Sequence, residues 1–393
     1  MKNRVLLVNP YYLPGYKSGG PQRTLQNVCD FFSKYNDIYI VTKNVDFGET
    51  DPYNVETNVW LKKYGVSIMY IEPENYNVKI FRDLYKQFDV IYACGLFCRS
   101  TIDFMLINKQ NDAKILYVAP MGVFSKNALT IRGIKKKLFL KTFSALGAFK
   151  KIVWSFTSDE EKNEALDAIG NRNIKDYIIA EDLPRKVDFE LMKKKACLYD
   201  GPLKVVFLSR IVPKKNLLYA IEILKNIGQG DLFFDIYGFK EDKTYWAECV
   251  KAIRQLPNNI VCNYCGGVNA EDSVHTFAKY DIFLFPTQGE NLGHVIYESL
   301  AAGCIPVISD TTPWKDFDDK NCRKVISLQN LEGFRGAIKE YLNYDHEKLK
   351  YQKLNAIEYA ERKYHESVSN SGYKQIFEGP KSHVKGNSEY YRI

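Results

Sequence analysis

The sequence predicts an α/β protein built on two successive parallel sheets. Three observations predict it. Short β-branched or aromatic runs alternate with amphipathic stretches along most of the 393 residues. The alternation pauses once, in a polar stretch containing proline and lysines, and then starts again. A content of 46% hydrophobic and 26% charged residues is that of a folded globular chain rather than a disordered or fibrous one. At about 150 residues per domain, the length fits two or three domains with full cores.

In the first half the candidate buried strands are Val5 to Val8, Ile38 to Thr42, Val66 to Ile71, Val90 to Ala93, Ile115 to Val118, Ile152 to Ser155 and Tyr177 to Ala180. Helical patterns fill the gaps. The clearest helix start is Ser158, where Glu161 three residues on completes a capping box, and Gly170 is placed to close that helix. After the first strand, Ser18-Gly19-Gly20-Pro21 lets the backbone approach a ligand and puts proline where a helix begins. Residues 1–185 are read as the first domain.

Residues 186–202, just after Pro184, contain Lys193-Lys194-Lys195 and an Asp200-Gly201-Pro202 turn without a convincing strand, and read as the connection. The second series is Val205 to Leu208, Phe233 to Tyr237, Ile260 to Asn263, Ile282 to Phe285 and Ile305 to Ile308, within a second domain of residues 203–360. Beyond Leu331 the pattern is helical to about Phe377. Residues 361–378 form a last helix able to pack back on the first domain, and residues 379–393 are a polar tail. Two such halves facing each other would leave a deep cleft at the carboxyl ends of both sheets, where α/β proteins bind ligands.

The formal net charge of +8 suits a polyanionic ligand, an acidic membrane face or nucleic acid. Nucleic acid is set aside, because the chain has no zinc-finger spacing, no RNA-binding aromatic signature and no long basic run. The nine cysteines, an odd number, read as reduced thiols. Val5 to Val8 is too short for the apolar part of a signal peptide, and no run nears the eighteen or so apolar residues of a membrane span. The expectation is a cytoplasmic chain, with the inner face of the cell membrane as a surface it can visit.

The stretch most informative about chemistry runs from Pro286 to Gly303. It follows an apolar strand, and Leu292 to Ala302 is a plausible helix closed by Gly303. Glu290 then sits in the strand-to-helix loop, and the amides of Asn291, Leu292 and Gly293 at the helix start make an anion site. Glu298 lies two turns on. A second cluster, Ser209-Arg210-Ile211-Val212-Pro213-Lys214-Lys215-Asn216, ends the first strand of the second series. Its arginine fork and lysine charge suit a diphosphate, and Asn216 is placed to cap the next helix. Gly238 and the pair Gly266-Gly267, each just after a strand, are further candidates for close ligand approach.

These residues resemble glycosyltransferase family four. The matching text is Phe-Leu-Ser-Arg210-Ile-Val-Pro-Lys-Lys215-Asn, the Glu290-x7-Glu298 signature and the Gly19-Gly20 loop, with their spacing, over roughly Arg4 to Phe377. The resemblance implies a GT-B architecture, two Rossmann-like domains facing across a deep cleft, and a retaining enzyme that takes a sugar from a nucleoside-diphosphate donor to a sugar or lipid-linked acceptor. It implies that Arg210 and Lys215 hold the diphosphate and that Glu290 meets sugar hydroxyls. It further implies that Gly20, Gly238, Asn291, Leu292 and Gly293 contact the donor and that Glu298 binds its ribose. Neither a metal nor another cofactor is implied, since fixed cations and a helix end stabilise the leaving group. One departure is visible. The first histidine is His275, and the loop Ala119 to Phe124 offers Met121 and Gly122, carried here as acceptor contacts, where many members have a histidine.

Other features have plainer readings. Asp316-Phe317-Asp318 spells the metal motif of a different glycosyltransferase architecture but reads as a charged loop. Cys262 and Cys265 have zinc-like spacing with no second ligand pair, and Cys94 and Cys98 read the same way. The stretch Ile131 to Phe143 has one apolar face and one basic face. Lys135, Lys136 and Lys137 are either a solvated surface or a contact to anionic lipid. The alternative to an enzyme is a non-catalytic nucleotide-sugar or glycan-binding protein of the same fold.

Overall fold

The computed structural model describes residues 3–111, 115–130, 133–197, 201–290, 292–315 and 322–378. The chain divides into two compact units. The first runs to Leu183 and resumes at Ser367; the second is Pro184–Glu366.

In the first unit the elements are β1 (Arg4–Val8), α1 (Gly20–Phe32), β2 (Asp37–Lys43), β3 (Trp60–Lys63), β4 (Val66–Ile71), α2 (Val78–Gln87), β5 (Val90–Cys94) and α3 (Arg99–Gln110), followed by β6 (Ile115–Ala119), α4 (Lys126–Thr130), α5 (Gly133–Ala145), β7 (Val153–Phe156), α6 (Asp159–Ile169) and β8 (Asp176–Ile179). The sheet order is β3-β4-β2-β1-β5-β6-β7-β8, parallel throughout except for the antiparallel β3–β4 pair. Central strands are continuous apolar runs because helices cover both faces; Val5, Leu6, Leu7 and Val8 are all fully buried. β3 went unseen in the sequence because it is an edge strand ending in two exposed lysines, which also blunt the edge against stray pairing.

The second unit contains α7 (Phe189–Ala196), β9 (Leu203–Leu208), α8 (Leu217–Leu224), β10 (Leu232–Tyr237), α9 (Lys243–Ile253), β11 (Ile260–Gly266), α10 (Ser273–Phe277), β12 (Ile282–Phe285), α11 (His294–Ala301), β13 (Ile305–Ser309), β14 (Lys324–Ile326), α12 (Leu331–Leu342) and most of α13 (His346–Ser369). Its all-parallel order is β11-β10-β9-β12-β13-β14. The stretch read as a connection holds α7, capped by the Asp188 side chain, and Phe189, Met192 and Ala196 from it join the second unit's core.

After α13 the chain returns to the first unit as α14 (Tyr373–Glu378). Phe377 stacks on Phe32 with ring centres 4.6 Å apart, and Asn3 Nδ2 donates to the Phe377 carbonyl at 2.7 Å. Gly372 lies so close to β8 that a Cβ there would overlap the Ile179 carbonyl. The capping box holds in part. Ser158 accepts from the Glu161 amide and Gly170 closes α6 at φ 74°, but the Glu161 side chain goes elsewhere.

Each sheet has a switch point, where successive strands leave the first strand in opposite directions. In the second unit it lies between β9 and β12; in the first, between β1 and β5. Loops at the carboxyl ends of such strand pairs part there and leave a crevice.

Candidate functional site

The crevice between β9 and β12 gathers most of the expected residues of the second unit. The loop after β9 makes a short turn, Pro213–Lys215, with the Lys215 amide on the Val212 carbonyl. The loop after β12 is stitched to it by the Gln288 amide, which donates to the Lys214 carbonyl at 2.9 Å. The two segments, some seventy residues apart in sequence, therefore sit in fixed register.

Lys215 Nζ lies 2.5 Å from Glu290 Oε1, and both side chains are nearly buried at 12% and 11% exposure. The ammonium also faces the Phe285 ring at 5.7 Å. Burial pulls the Lys215 pKa below the ordinary lysine value, Glu290 opposes that shift, and the nearby positive charges of Arg210 and Lys214 add to it. Such a lysine is a concentrated charge in a poorly hydrated place, where an anionic ligand gains most from it. Arg210 is far more open. Its side chain is 55% exposed and meets Glu241 at 3.3 Å, an exposed pair that contributes little and releases easily.

The hydroxyl of Thr287, a buried residue, lies 3.0 Å from Glu290 Oε1. The Thr287 carbonyl in turn accepts from Ser309 Oγ at 2.5 Å, at the end of β13, and from Thr311 Oγ1 at 2.7 Å, just past it. The sequence reading missed this chain, because its hydroxyls fit no local motif and are joined only by the β12–β13 pairing. Glu290 is thus held at a single carboxylate oxygen, Oε1, by both Lys215 and Thr287.

Gly293 stands at φ 76°, the N-cap position of α11, and a Cβ there would press on Ile296 Cδ1 at 3.0 Å. This corrects the expected helix of Leu292 to Ala302. The helix starts at His294, so Leu292 lies before the cap, where its carbonyl accepts from Trp314 Nε1 at 2.6 Å. The positive φ of Gly293 breaks the helical run, so the helix-start amides begin only at the turn that opens with Gly293. Asn291 lies outside the described residues, as do Asp316 to Asp318. Glu298 is in α11 and 1% exposed.

Asn216 is also corrected. It occupies the N-cap of α8 but in the left-handed region at φ 64°, with no capping bond; its Nδ2 instead donates to the Pro286 carbonyl at 2.9 Å, a further tie between the two loops. Gly238, after β10, is required by contact: a Cβ there would overlap the Ser209 carbonyl beside Arg210. Cys262 is half-buried and Cys265 exposed, both on β11.

The remaining expected residues lie in the first unit. Gly20 opens α1 behind Gly19 at φ 74°, with open space where either Cβ would stand. Met121 and Gly122 both have positive φ, at 61° and 74°. The Gly122 amide donates to Glu161 Oε1 at 2.6 Å, while Glu161 Oε2 takes the Thr157 amide at 2.7 Å. Glu161 therefore pins this loop instead of closing its own cap. On α5, Lys135 and Lys137 are exposed, but Lys136 turns inward, donating to the Ala128 carbonyl at 2.6 Å and facing the Phe97 ring at 5.2 Å. The expected row of three surface lysines is thus two.

The model of the family Glycosyl transferases group 1 matches residues 188–359. A glycogen synthase from Fusobacterium nucleatum is 29% identical over 139 residues, 35% of this chain and 28% of that protein. Sucrose-phosphate synthase from Thermosynechococcus elongatus superposes with a TM-score of 0.66 at 14% identity, covering 96% of this chain and 100% of its own. Anabaena HepE in complex with UDP and glucose gives 0.67 at 13% identity, covering 96% and 98%. The fold is GT-B.

Proposed function

We propose that this chain, whose second unit belongs to the glycosyl transferases group 1 family, moves a sugar from a nucleoside-diphosphate donor to a sugar or lipid-linked acceptor. The observation that carries the reading is the nearly buried Lys215–Glu290 pair at the β9–β12 switch point, with Arg210 beside it and the Gly293 turn following. In this reading the diphosphate displaces Arg210 from Glu241 and takes charge-assisted hydrogen bonds from Arg210 and Lys215. Those cations, with the α11 start, stabilise the leaving diphosphate as its bond to the sugar breaks. Glu290, aimed by Lys215 and Thr287, accepts from sugar hydroxyls. Asn291, Leu292, Gly20 and Gly238 complete the donor contacts, Glu298 takes the ribose, and Met121 and Gly122 take the acceptor. Retention follows if the acceptor hydroxyl attacks from the side the diphosphate leaves and gives its proton to that diphosphate. No metal is needed for charge stabilisation in this scheme.

The test is release of nucleoside diphosphate from a panel of nucleotide sugars, with and without acceptor. Lys215→Ala and Glu290→Gln should each lower turnover on the order of a hundredfold or more while leaving the fold intact. Turnover close to that of the parent chain in either variant would remove that residue from the mechanism. Chelation should leave the rate unchanged, and NMR of the product anomer reads retention directly. Full donor binding without turnover would instead select the non-catalytic binding protein.

A contact with anionic membrane belongs to the same reading. Among the described residues no helix is long and apolar enough to cross a membrane. On α5, however, Ile134 is 87% and Leu138 65% exposed, one turn apart and flanked by exposed Lys135 and Lys137. Apolar anchors beside lysines suit the surface of an acidic bilayer holding a lipid-linked acceptor. Reversing Lys135 and Lys137 to Glu should abolish sedimentation with acidic vesicles, and unchanged sedimentation would dismiss the membrane role.

A further inference from the structure

The first unit has a cluster of polar and aromatic side chains of its own, carried by its own loops around the β1–β5 switch point. Lys43 ends β2, next to β1, and its amide donates to the Pro10 carbonyl at 3.2 Å. Its ammonium lies 5.4 Å from the ring centre of Tyr11, in the loop after β1, and 5.6 Å from that of Tyr76, in the loop after β4. Among the described residues it has no hydrogen-bond or ion-pair partner. Three carboxylates of this region, Asp46, Glu49 and Asp103, are engaged elsewhere. Asp46 accepts from the amides of Tyr16 at 2.9 Å, Lys17 at 3.3 Å and Phe47 at 2.7 Å. Glu49 pairs with Lys17, and Asp103 with Arg99 at 3.5 Å.

A half-buried ammonium facing two aromatic rings has lost part of its water without gaining a counter-ion. An incoming anion gains more from it than from a solvated surface lysine. Cys98, at the start of α3, is close enough to feel that charge: burial pushes its thiol up to about 11, and Lys43 pulls the other way. At the same end of α3, the hydroxyls of Tyr76 and Ser100 are buried side by side without a hydrogen bond of normal geometry. Phe47 is 55% exposed and edge-on to Tyr11 at 5.3 Å, so an open ring adjoins the one that faces the ammonium.

We propose that Lys43, Tyr11 and Phe47 form a subsite for a sugar bearing an anionic group, phosphate or carboxylate, with the ammonium pairing with the anion and the rings taking the face of the sugar. This rests on the sugar-transfer reading above and makes the site the acceptor's. It restricts the acceptor to a charged sugar, which neither Met121 nor Gly122 does.

The test is calorimetric titration of the whole chain, without donor, using hexose 6-phosphates, hexuronates and the matching neutral hexoses. The charged sugars should bind more tightly, and the better of the two charged series identifies the anion. Lys43→Gln keeps the stem between the rings and should weaken the charged sugars on the order of tenfold to a hundredfold, leaving neutral ones unchanged. Lys43→Arg should restore most of the loss, and Phe47→Ala should weaken charged and neutral sugars alike. Equal affinity for charged and neutral hexoses overturns the proposal. So does a Lys43→Gln chain that binds the charged sugars undiminished, which would make Lys43 a strut between two rings. Titration with UDP-glucose separates the two readings: retained donor binding in Lys43→Gln shows the variant folded, whereas a parent chain that binds no nucleotide sugar undercuts the transfer reading and not this subsite.

Discussion

Lys215 is under two opposed influences, and their balance is measurable. Burial favours its neutral form and Glu290 favours its charged form, with the first dominant, so its pKa lies below the ordinary lysine value. If the ammonium holds the diphosphate, donor affinity falls as pH rises through that lowered pKa, a basic limb that begins earlier than a surface lysine would give. Lys215→Arg should push the limb beyond the measurable range, because a guanidinium does not lose its proton there. A limb unmoved by that change would assign it to another group. At this scale much was legible: Arg210, Lys215, Glu290 and Gly293 lie in two short stretches whose residue types already suggest an anion. Thr287 and Ser309 were not, since a hydroxyl reads as a role only once strand pairing brings a carbonyl or carboxylate to it. Asn216 misled for a related reason: a residue in capping position with positive φ cannot turn its side chain onto its own helix, and Pro286 took the bond instead.

Elements are legible where they carry an apolar run, including the edge strands β8 and β11, and illegible in the short edge strands β3 and β14. β4 and β12 match the expected bounds to the residue and the other central strands within a residue or two, because a strand covered on both faces must be apolar without interruption, while the edge strand β11 runs three residues past its expected end. β3 and β14, short and lysine-bearing, lack that signature. How α13 is fixed was likewise invisible. Lys353 on that helix pairs with Asp281, at the start of β12, at 2.8 Å with both side chains almost fully buried, and also reaches the Tyr280 carbonyl. The other oxygen of Asp281 takes the Lys204 amide at the start of β9. Removing one member of such a pair strands a buried charge, so Lys353→Met should cost about 3–5 kcal/mol in denaturant unfolding of the second unit. A loss below about 1 kcal/mol, the range of surface pairs, would mean that water reaches Asp281.

For the molecule as a whole, a half-buried acid in the first unit sets one pH dependence of stability. Asp182, hydrogen-bonded by Thr24 Oγ1 at 2.8 Å, has its pKa pushed up to about 6, chiefly by burial. A carboxyl that holds its proton more tightly when folded stabilises the fold most at low pH. That contribution is lost as pH climbs from the ordinary aspartate value to about 6. Asp182→Asn should therefore flatten the slope of Tm against pH across that window and raise Tm above it. An identical slope in the variant would assign it to a different acid.

The return of α14 to the first unit has a consequence for synthesis. Pro184–Glu366 is one uninterrupted stretch and can fold as it leaves the ribosome, whereas the earlier-made unit must wait for the last helix to cover Phe32 and Tyr92. The half translated first is therefore finished last. Expressing it alone would require splicing the α14 segment to it, and a nonsense codon anywhere after Glu366 but before Tyr373 would cripple the amino-terminal half while sparing the half it lies next to.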